Sequence, residues 1–221
     1  MLQLYPTKNG TGVQILGDYT DLRTLYLTID KLSERLDPEA VNTKGKSTIL
    51  MALAYEVRKA YSGRRETEGL TFDGTHQVTY MGFNYLWTDM VIAYNILRNE
   101  AGYLTTGPLD QACLYLLEAQ LSRAMTAYDV KQEALLKEFL GKWIDVNHPY
   151  IYPISQSIAH DYLTFKAGKS RFAKIPALFT AYFNEQSPPY RAMFNNLQQS
   201  AAEKGCGILD LEFGDLPEFK W

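Results

Sequence analysis

Gly45-Lys46-Ser47-Thr48 has the residue types that close a phosphate-binding loop, where a lysine and a hydroxyl follow a glycine turn. Such a loop also needs an earlier glycine, so that backbone N–H groups can curl around phosphates, and a buried strand leading into it. Position 40 is alanine, and Leu36-Asp37-Pro38-Glu39 reads as the end of a helix. The apolar strand segments near the motif, such as Val78 to Phe83, do not end in the aspartate that would help hold Mg²⁺. Lys46 and Ser47 are therefore expected in a Gly-Lys loop followed by a Ser/Thr helix cap, with phosphate binding as a secondary reading. Gly168-Lys169-Ser170 repeats the triplet between two expected helices and is read the same way.

The three histidines offer a second kind of chemistry. His148 lies in Asp145-Val146-Asn147-His148-Pro149, His160 precedes Asp161 on an expected helix, and His76 falls on an expected strand. Imidazoles with a carboxylate can hold Zn²⁺ or move protons, so His148, His160, Asp145 and Asp161 are the candidate catalytic residues, and the two histidines the candidate metal ligands. No His-Glu-x-x-His spacing fixes a geometry for them. The plainer assignment is one loop histidine and one paired helix histidine, and no cofactor is expected. Nucleophile motifs are missing too, since Cys206 between Gly205 and Gly207 has no basic neighbour in the sequence.

Recognition chemistry is the third possibility. Arg58, Lys59, Arg64 and Arg65 form the densest basic cluster, with Tyr55 and Tyr61 interleaved, and such a surface could meet nucleic-acid phosphates and stack a base. Glu56, Glu66 and Glu68 dilute it, and the formal net charge of −3 gives no global basic field. The sixteen tyrosines point instead to a protein-binding face, because tyrosine supplies contact area at low side-chain entropy cost. Tyr150 and Tyr152, in an expected loop with Pro149 and Pro153, are its first candidates, together with Arg64 and Arg65.

The elements that must position these groups are marked by periodicity and punctuation. Leu2, Leu4, Val13 and Ile15 alternate with polar residues on either side of an Asn9-Gly10 turn, which predicts a β-hairpin. Asp18 caps an amphipathic helix through Leu22, Leu25, Ile29 and Leu32, and a second helix is expected from Ser47 or Thr48 to about Ser62. Leu70 and Phe72 face His76 and Val78 across Asp73-Gly74 as a second hairpin. From Trp87 the period becomes helical, with Thr88 or Asp89 as a cap, Pro108 at a first helical position, Asp129 as a cap, and further helices near 153–167, 173–185 and 189–204. Ile208 to Phe213 alternates like a strand that could return to the sheet.

The expected fold is α+β and predominantly helical. A small N-terminal antiparallel sheet, joined by that C-terminal strand, packs against several helices. With 221 residues, 46% of them hydrophobic, the chain is expected to form a single domain over 1–221. Two cysteines are too few for a disulfide framework, no stretch approaches the ~18 apolar residues of a membrane helix, and Met1-Leu2-Gln3-Leu4 opens no signal peptide. A cytoplasmic protein with no membrane attachment is expected.

Tyr5-Pro6-Thr7-Lys8-Asn9-Gly10-Thr11-Gly12-Val13, followed by Gly17-Asp18-Tyr19-Thr20-Asp21-Leu22 and Leu25-Tyr26, resembles the opening of an uncharacterised bacterial family of unknown function. Asn95-Ile96-Leu97-Arg98 with Ala101-Gly102-Tyr103 is similar to it as well. The resemblance implies bacterial origin and a cytoplasmic, single-domain protein, and it carries no catalytic residue onto this chain. The leading expectation is a non-catalytic binding or interaction protein, of immunity or regulatory type, with a protein partner rather than nucleic acid. The alternatives are a metal-dependent enzyme using His148, His160 and a carboxylate, and phosphate or nucleic-acid binding through basic residues.

Overall fold

The structure, a computed structural model, describes residues 1–72, 76–141 and 143–221, with the side chains of 70–77 set aside. Four antiparallel strands, β1 (Gln3–Pro6), β2 (Gly12–Gly17), β3 (Glu66–Phe72) and β4 (His76–Leu86), pair in the order β1-β2-β4-β3. The alternation in sequence sorts their two faces. Leu4, Ile15 and Phe83 stand directly opposite one another and are buried, while the next row, Tyr5, Gln14 and Asn84, faces outward. Glu66 ties that outer row together by accepting from Gln14 and Asn84. Leu70 pairs with Val78 and Phe72 with His76 as expected, while the Asp73-Gly74 turn lies outside the described residues.

The buried face is covered by α1 (Tyr19–Ser33), α2 (Val41–Tyr61) and α4 (Pro108–Tyr128). Asp18 starts α1 with a reciprocal capping box to Asp21, as its position predicts. α3 (Trp87–Glu100) is buried on nearly every side from Trp87 to Leu97, which suits the interior helix of a layered fold. It starts two or three residues earlier than a cap at Thr88 or Asp89 would place it, and neither of these makes a side-chain cap, because the strand β4 runs straight into it through Leu86. Pro108 does occupy the first turn of α4, and Asp129 does cap α5 (Val130–Lys137). α6 (Ile151–Thr164), α7 (Lys169–Phe172), α8 (Ile175–Tyr182) and α9 (Pro188–Lys204) complete the helical part.

Two expectations are corrected. The predicted loop at Gly45-Lys46 is instead the second turn of α2, which begins at Val41. Glycine is tolerated there because a Cβ would sit 2.9 Å from Ile151 Cγ2 and 3.2 Å from the Tyr152 nitrogen, so its absence lets α2 approach the start of α6. The second correction is at the C-terminus, where Ile208–Asp210 forms a 3₁₀ turn rather than a fifth strand. The Asp210 carboxylate pairs with Lys44 at 2.6 Å, which pins the segment near α2, away from the sheet.

Two polar features fix the packing. Lys46 Nζ lies 2.7 Å from Glu100 Oε1 and 3.0 Å from Asn147 Oδ1, and both charged side chains are buried. Losing one partner of such a pair strands the other charge, at a cost of about 3–5 kcal/mol. At the hairpin, Gly10 closes a turn by donating to the Thr7 carbonyl and takes a left-handed φ of 63°. Its carbonyl accepts from the buried Tyr162 hydroxyl, and a Cβ on Gly10 would collide with the Tyr128 hydroxyl.

Asp89 is a carboxyl group that the fold perturbs strongly. It is recessed in the first turn of α3, and burial pushes its carboxyl from 3.8 up to about 7, although Ser155 Oγ at 3.4 Å works the other way. Between those values the native state keeps a proton that the unfolded chain has already lost, so stability falls as pH rises through the window and levels off above it.

Two predictions follow from this packing. Gly10→Ala combines a left-handed backbone with overpacking and should lower the urea-unfolding free energy by about 2–4 kcal/mol. Between pH 5 and 8 the wild type should lose roughly 1–3 kcal/mol relative to Asp89→Asn, measured by urea titration of both proteins at each pH. Parallel pH profiles would show that Asp89 titrates normally.

Candidate functional site

An open groove of about 650 Å³ lies between α6 and α9. α9 presents one helical stripe to it, in which Pro189, Met193, Asn196 and Ser200 recur at intervals of three and four. α6 contributes Gln156, Ser157, His160 and Asp161 from its facing side. The third wall is the C-terminal segment from Phe213 to Leu216, whose Phe213 ring packs edge-on against Tyr152 with centroids 5.5 Å apart. Met193 and Leu197 make an apolar floor, and both are buried.

The rim is polar and carries acid. Asp161 Oδ2 accepts from the Tyr182 hydroxyl at 2.6 Å, and its other oxygen lies 3.5 Å from His160 Nδ1. Burial first, and the hydrogen bond to Asp161 second, push the Tyr182 phenol well above its usual range, so it stays a donor. Asp215 supplies a second carboxylate from the C-terminal wall, and among the described residues no lysine or arginine lines the groove. His160 is 57% exposed and Asp161 44%, so a bound partner could reach both. An apolar floor beneath an acidic rim can recognise a segment that carries both apolar and basic residues.

The other sequence candidates lie elsewhere and apart. His148 sits before α6, where its Nδ1 accepts from the Tyr150 backbone N–H at 3.0 Å and its Nε2 lies 3.2 Å from the Tyr190 hydroxyl and 3.3 Å from Glu185. Both ring nitrogens are engaged in joining the start of α6 to α9. His160 lies nine residues into α6, roughly 13 Å along the axis from its first residue, so the two histidines do not meet. Asp145 accepts from the Asn147 backbone at 3.0 Å and shapes the same turn. Among the described residues no group of three or more His, Cys, Asp or Glu could hold a metal ion.

Lys46 faces Glu100 and Asn147 in the interior, and Ser47 is buried beside it within α2, not in a loop where backbone N–H groups could surround a phosphate. Arg65 forms a two-pronged pair with Glu56, at 2.7 and 2.8 Å, and Lys59 reaches the same carboxylate at 3.3 Å. That arrangement holds Glu56 below the ordinary carboxylate range and neutralises much of the basic cluster, while Arg64 stays exposed. Tyr150 and Tyr152 are half-buried, not loop-exposed: Tyr150 packs on Phe194 and His148 at the start of α6, and Tyr152 lies within α6 beneath Phe213.

The groove itself was not legible from local sequence, because its α6 and α9 walls, Asp161 and Pro189 at their nearest, are about thirty residues apart along the chain. The sequence carries one trace of it, the apolar Leu216, Phe219 and Trp221 of the tail, a composition that favours docking over exposure. It does dock: Thr11 Oγ1 and Asn9 Nδ2 donate to the carbonyls of Lys220 and Trp221 at 2.6 and 2.9 Å.

No curated protein and no solved structure matches the chain at a significant level. The family model described as a domain of unknown function, DUF6904, matches residues 2–221, and the chain belongs to that family.

Proposed function

We propose that this chain is a non-catalytic bacterial interaction protein, of immunity or regulatory type, that works in the cytoplasm and receives a segment of a protein partner in the α6–α9 groove. The observation that carries the reading is the groove's chemistry, a buried Met193 and Leu197 floor flanked by Asp161 and Asp215. The segment that fits is short and apolar with a flanking lysine or arginine, laid along α9 as an amphipathic helix is laid into a hydrophobic groove. Bacterial origin is supported by the resemblance of the Tyr5–Val13 block. Two features support the compartment: Cys113 and Cys206 are unpaired, and no described helix is long and apolar enough to cross a membrane. The domain is proposed to be single, since one hydrophobic cluster runs from Leu2 to Leu211.

A photo-crosslinking residue at Asn196 tests this in cells of the source organism. It should trap a partner whose crosslinked peptide contains apolar residues beside a lysine or arginine. Ala192 is exposed on the groove wall, so Ala192→Arg should fold normally and weaken binding of that peptide by at least ~tenfold through repulsion and steric block. Equal binding by Ala192→Arg, or an equal crosslink from a site on the outer face of the sheet, would remove the groove from consideration.

A further inference from the structure

A second cavity, of about 470 Å³, opens between α3, α4 and the segment that follows α5. Two cross-helix contacts define it. Tyr94 donates a short hydrogen bond to Glu118 Oε2, and one turn further along α3 the Arg98 guanidinium lies over the Tyr115 ring, 4.9 Å from its centroid. As α3 advances from 94 to 98, α4 retreats from 118 to 115, so the helices run antiparallel here. Glu118 and Arg98 are therefore offset by about one helical turn, roughly 6 Å.

The cavity is chemically divided. The Arg98 guanidinium carbon lies 4.9 Å from the centroid of the Tyr115 ring, a contact with the ring that leaves guanidinium N–H groups to donate to an anion. Tyr94 occupies Oε2 of Glu118 and leaves Oε1 for another donor. The Asn99 amide nitrogen donates to Glu100 at 3.1 Å, so its oxygen is a second acceptor in the wall. Leu140, Ile144 and Val146 make the opposite side apolar. Asn95 shapes that side: its amide donates to the Phe139 carbonyl and accepts from the Gly141 nitrogen, both at 2.7 Å.

We infer that this cavity binds a small zwitterion, an aliphatic α-amino acid or its dipeptide. The ligand carboxylate pairs with Arg98, its ammonium bridges Glu118 and Asn99, and its side chain packs on Leu140, Ile144 and Val146. Among the described residues, one cationic donor with a carboxylate about a turn away and an amide oxygen beside it, over an apolar wall, is complementary to that charge pattern. The volume lies within the range of small-molecule sites.

The test is a thermal-shift and calorimetric titration of the full chain with L-leucine, L-valine, L-leucyl-L-leucine, N-acetyl-L-leucine and L-leucinamide. At least one free zwitterion should give a saturable rise in Tm at up to about 10 mM, whereas the two capped probes, each lacking one charge, should not. The relative affinities of leucine and its dipeptide decide which size the site takes. Arg98→Gln and Glu118→Gln should each weaken the binding by about tenfold or more while unfolding cooperatively. No saturable response to any free zwitterion, a response as large from the capped probes, or unchanged binding in both variants would overturn the assignment.

Discussion

The turn from Thr7 to Gly12 is where the sheet and the helical part are locked together. Its backbone cannot satisfy itself in a loop this short, so the helical part supplies the partners. Tyr162 donates to the Gly10 carbonyl, the Gly168 nitrogen donates to the Asn9 carbonyl at 2.8 Å, and Arg171 reaches Thr11 Oγ1 at 3.2 Å. The same buried Arg171 donates to the carbonyls of Phe165 and Leu163, at 2.8 and 3.3 Å, and so closes the C-terminal end of α6. One side chain thus sets both the hairpin and the end of the helix that forms the groove wall. Thr11 and Asn9 then fix the chain terminus, so the tail wall of the groove is referenced to the same turn.

α6 is held with equal definition at its other end. Lys46 reaches from α2 to Glu100 on α3 and to Asn147 before α6, while His148 spans from that segment to Tyr190 on α9. Gly45 permits the close approach that makes the first of these possible. The groove is therefore a gap between two helices whose relative position is set by buried polar contacts at the start and by the hairpin at the end. Buried hydrogen-bonded pairs are weak sources of net stability but strong sources of register, because a misplaced helix leaves them unpaired. A recognition groove needs that kind of definition more than it needs extra free energy.

Much of the fold was legible because its signals are local. Asp18, Pro108 and Asp129 announce helix starts through groups within three residues of each start, and the Leu4, Val13 and Ile15 alternation announces the hairpin through a period of two. The misreadings share a cause. Gly45-Lys46 looks like a loop by composition, yet the glycine answers a contact with Ile151 more than a hundred residues later, and packing overrides propensity. Ile208 to Phe213 has a strand pattern too short to decide between a sheet edge and a docked turn, and the Lys44–Asp210 pair decides it. The candidate residues divide in the same way. His160 and Asp161, adjacent in sequence, do share the groove, while His148 and Lys46 are diverted into structural pairs by partners that no local window contains.

The tail makes the groove more than a static cleft. Phe213 to Leu216 is irregular in structure, and it is held from the side by the Tyr152–Phe213 contact and at its end by the bonds to Asn9 and Thr11. A partner seated against Met193 and Leu197 would bury Phe213 and Leu216 from the other side and so strengthen the tail's docking. By reciprocity, whatever loosens the tail from the hairpin weakens the partner by the same free energy. The hairpin turn, the tail and the groove then form one coupled unit. The Arg98–Glu118 cavity lies on different helices, α3 and α4, and one of its connections to that unit is the set of Glu100–Lys46–Asn147 contacts at the start of α6. A ligand there that shifts Asn99 and Glu100 would be felt at the start of α6 through the buried ion pair, and so at the wall against which a partner sits.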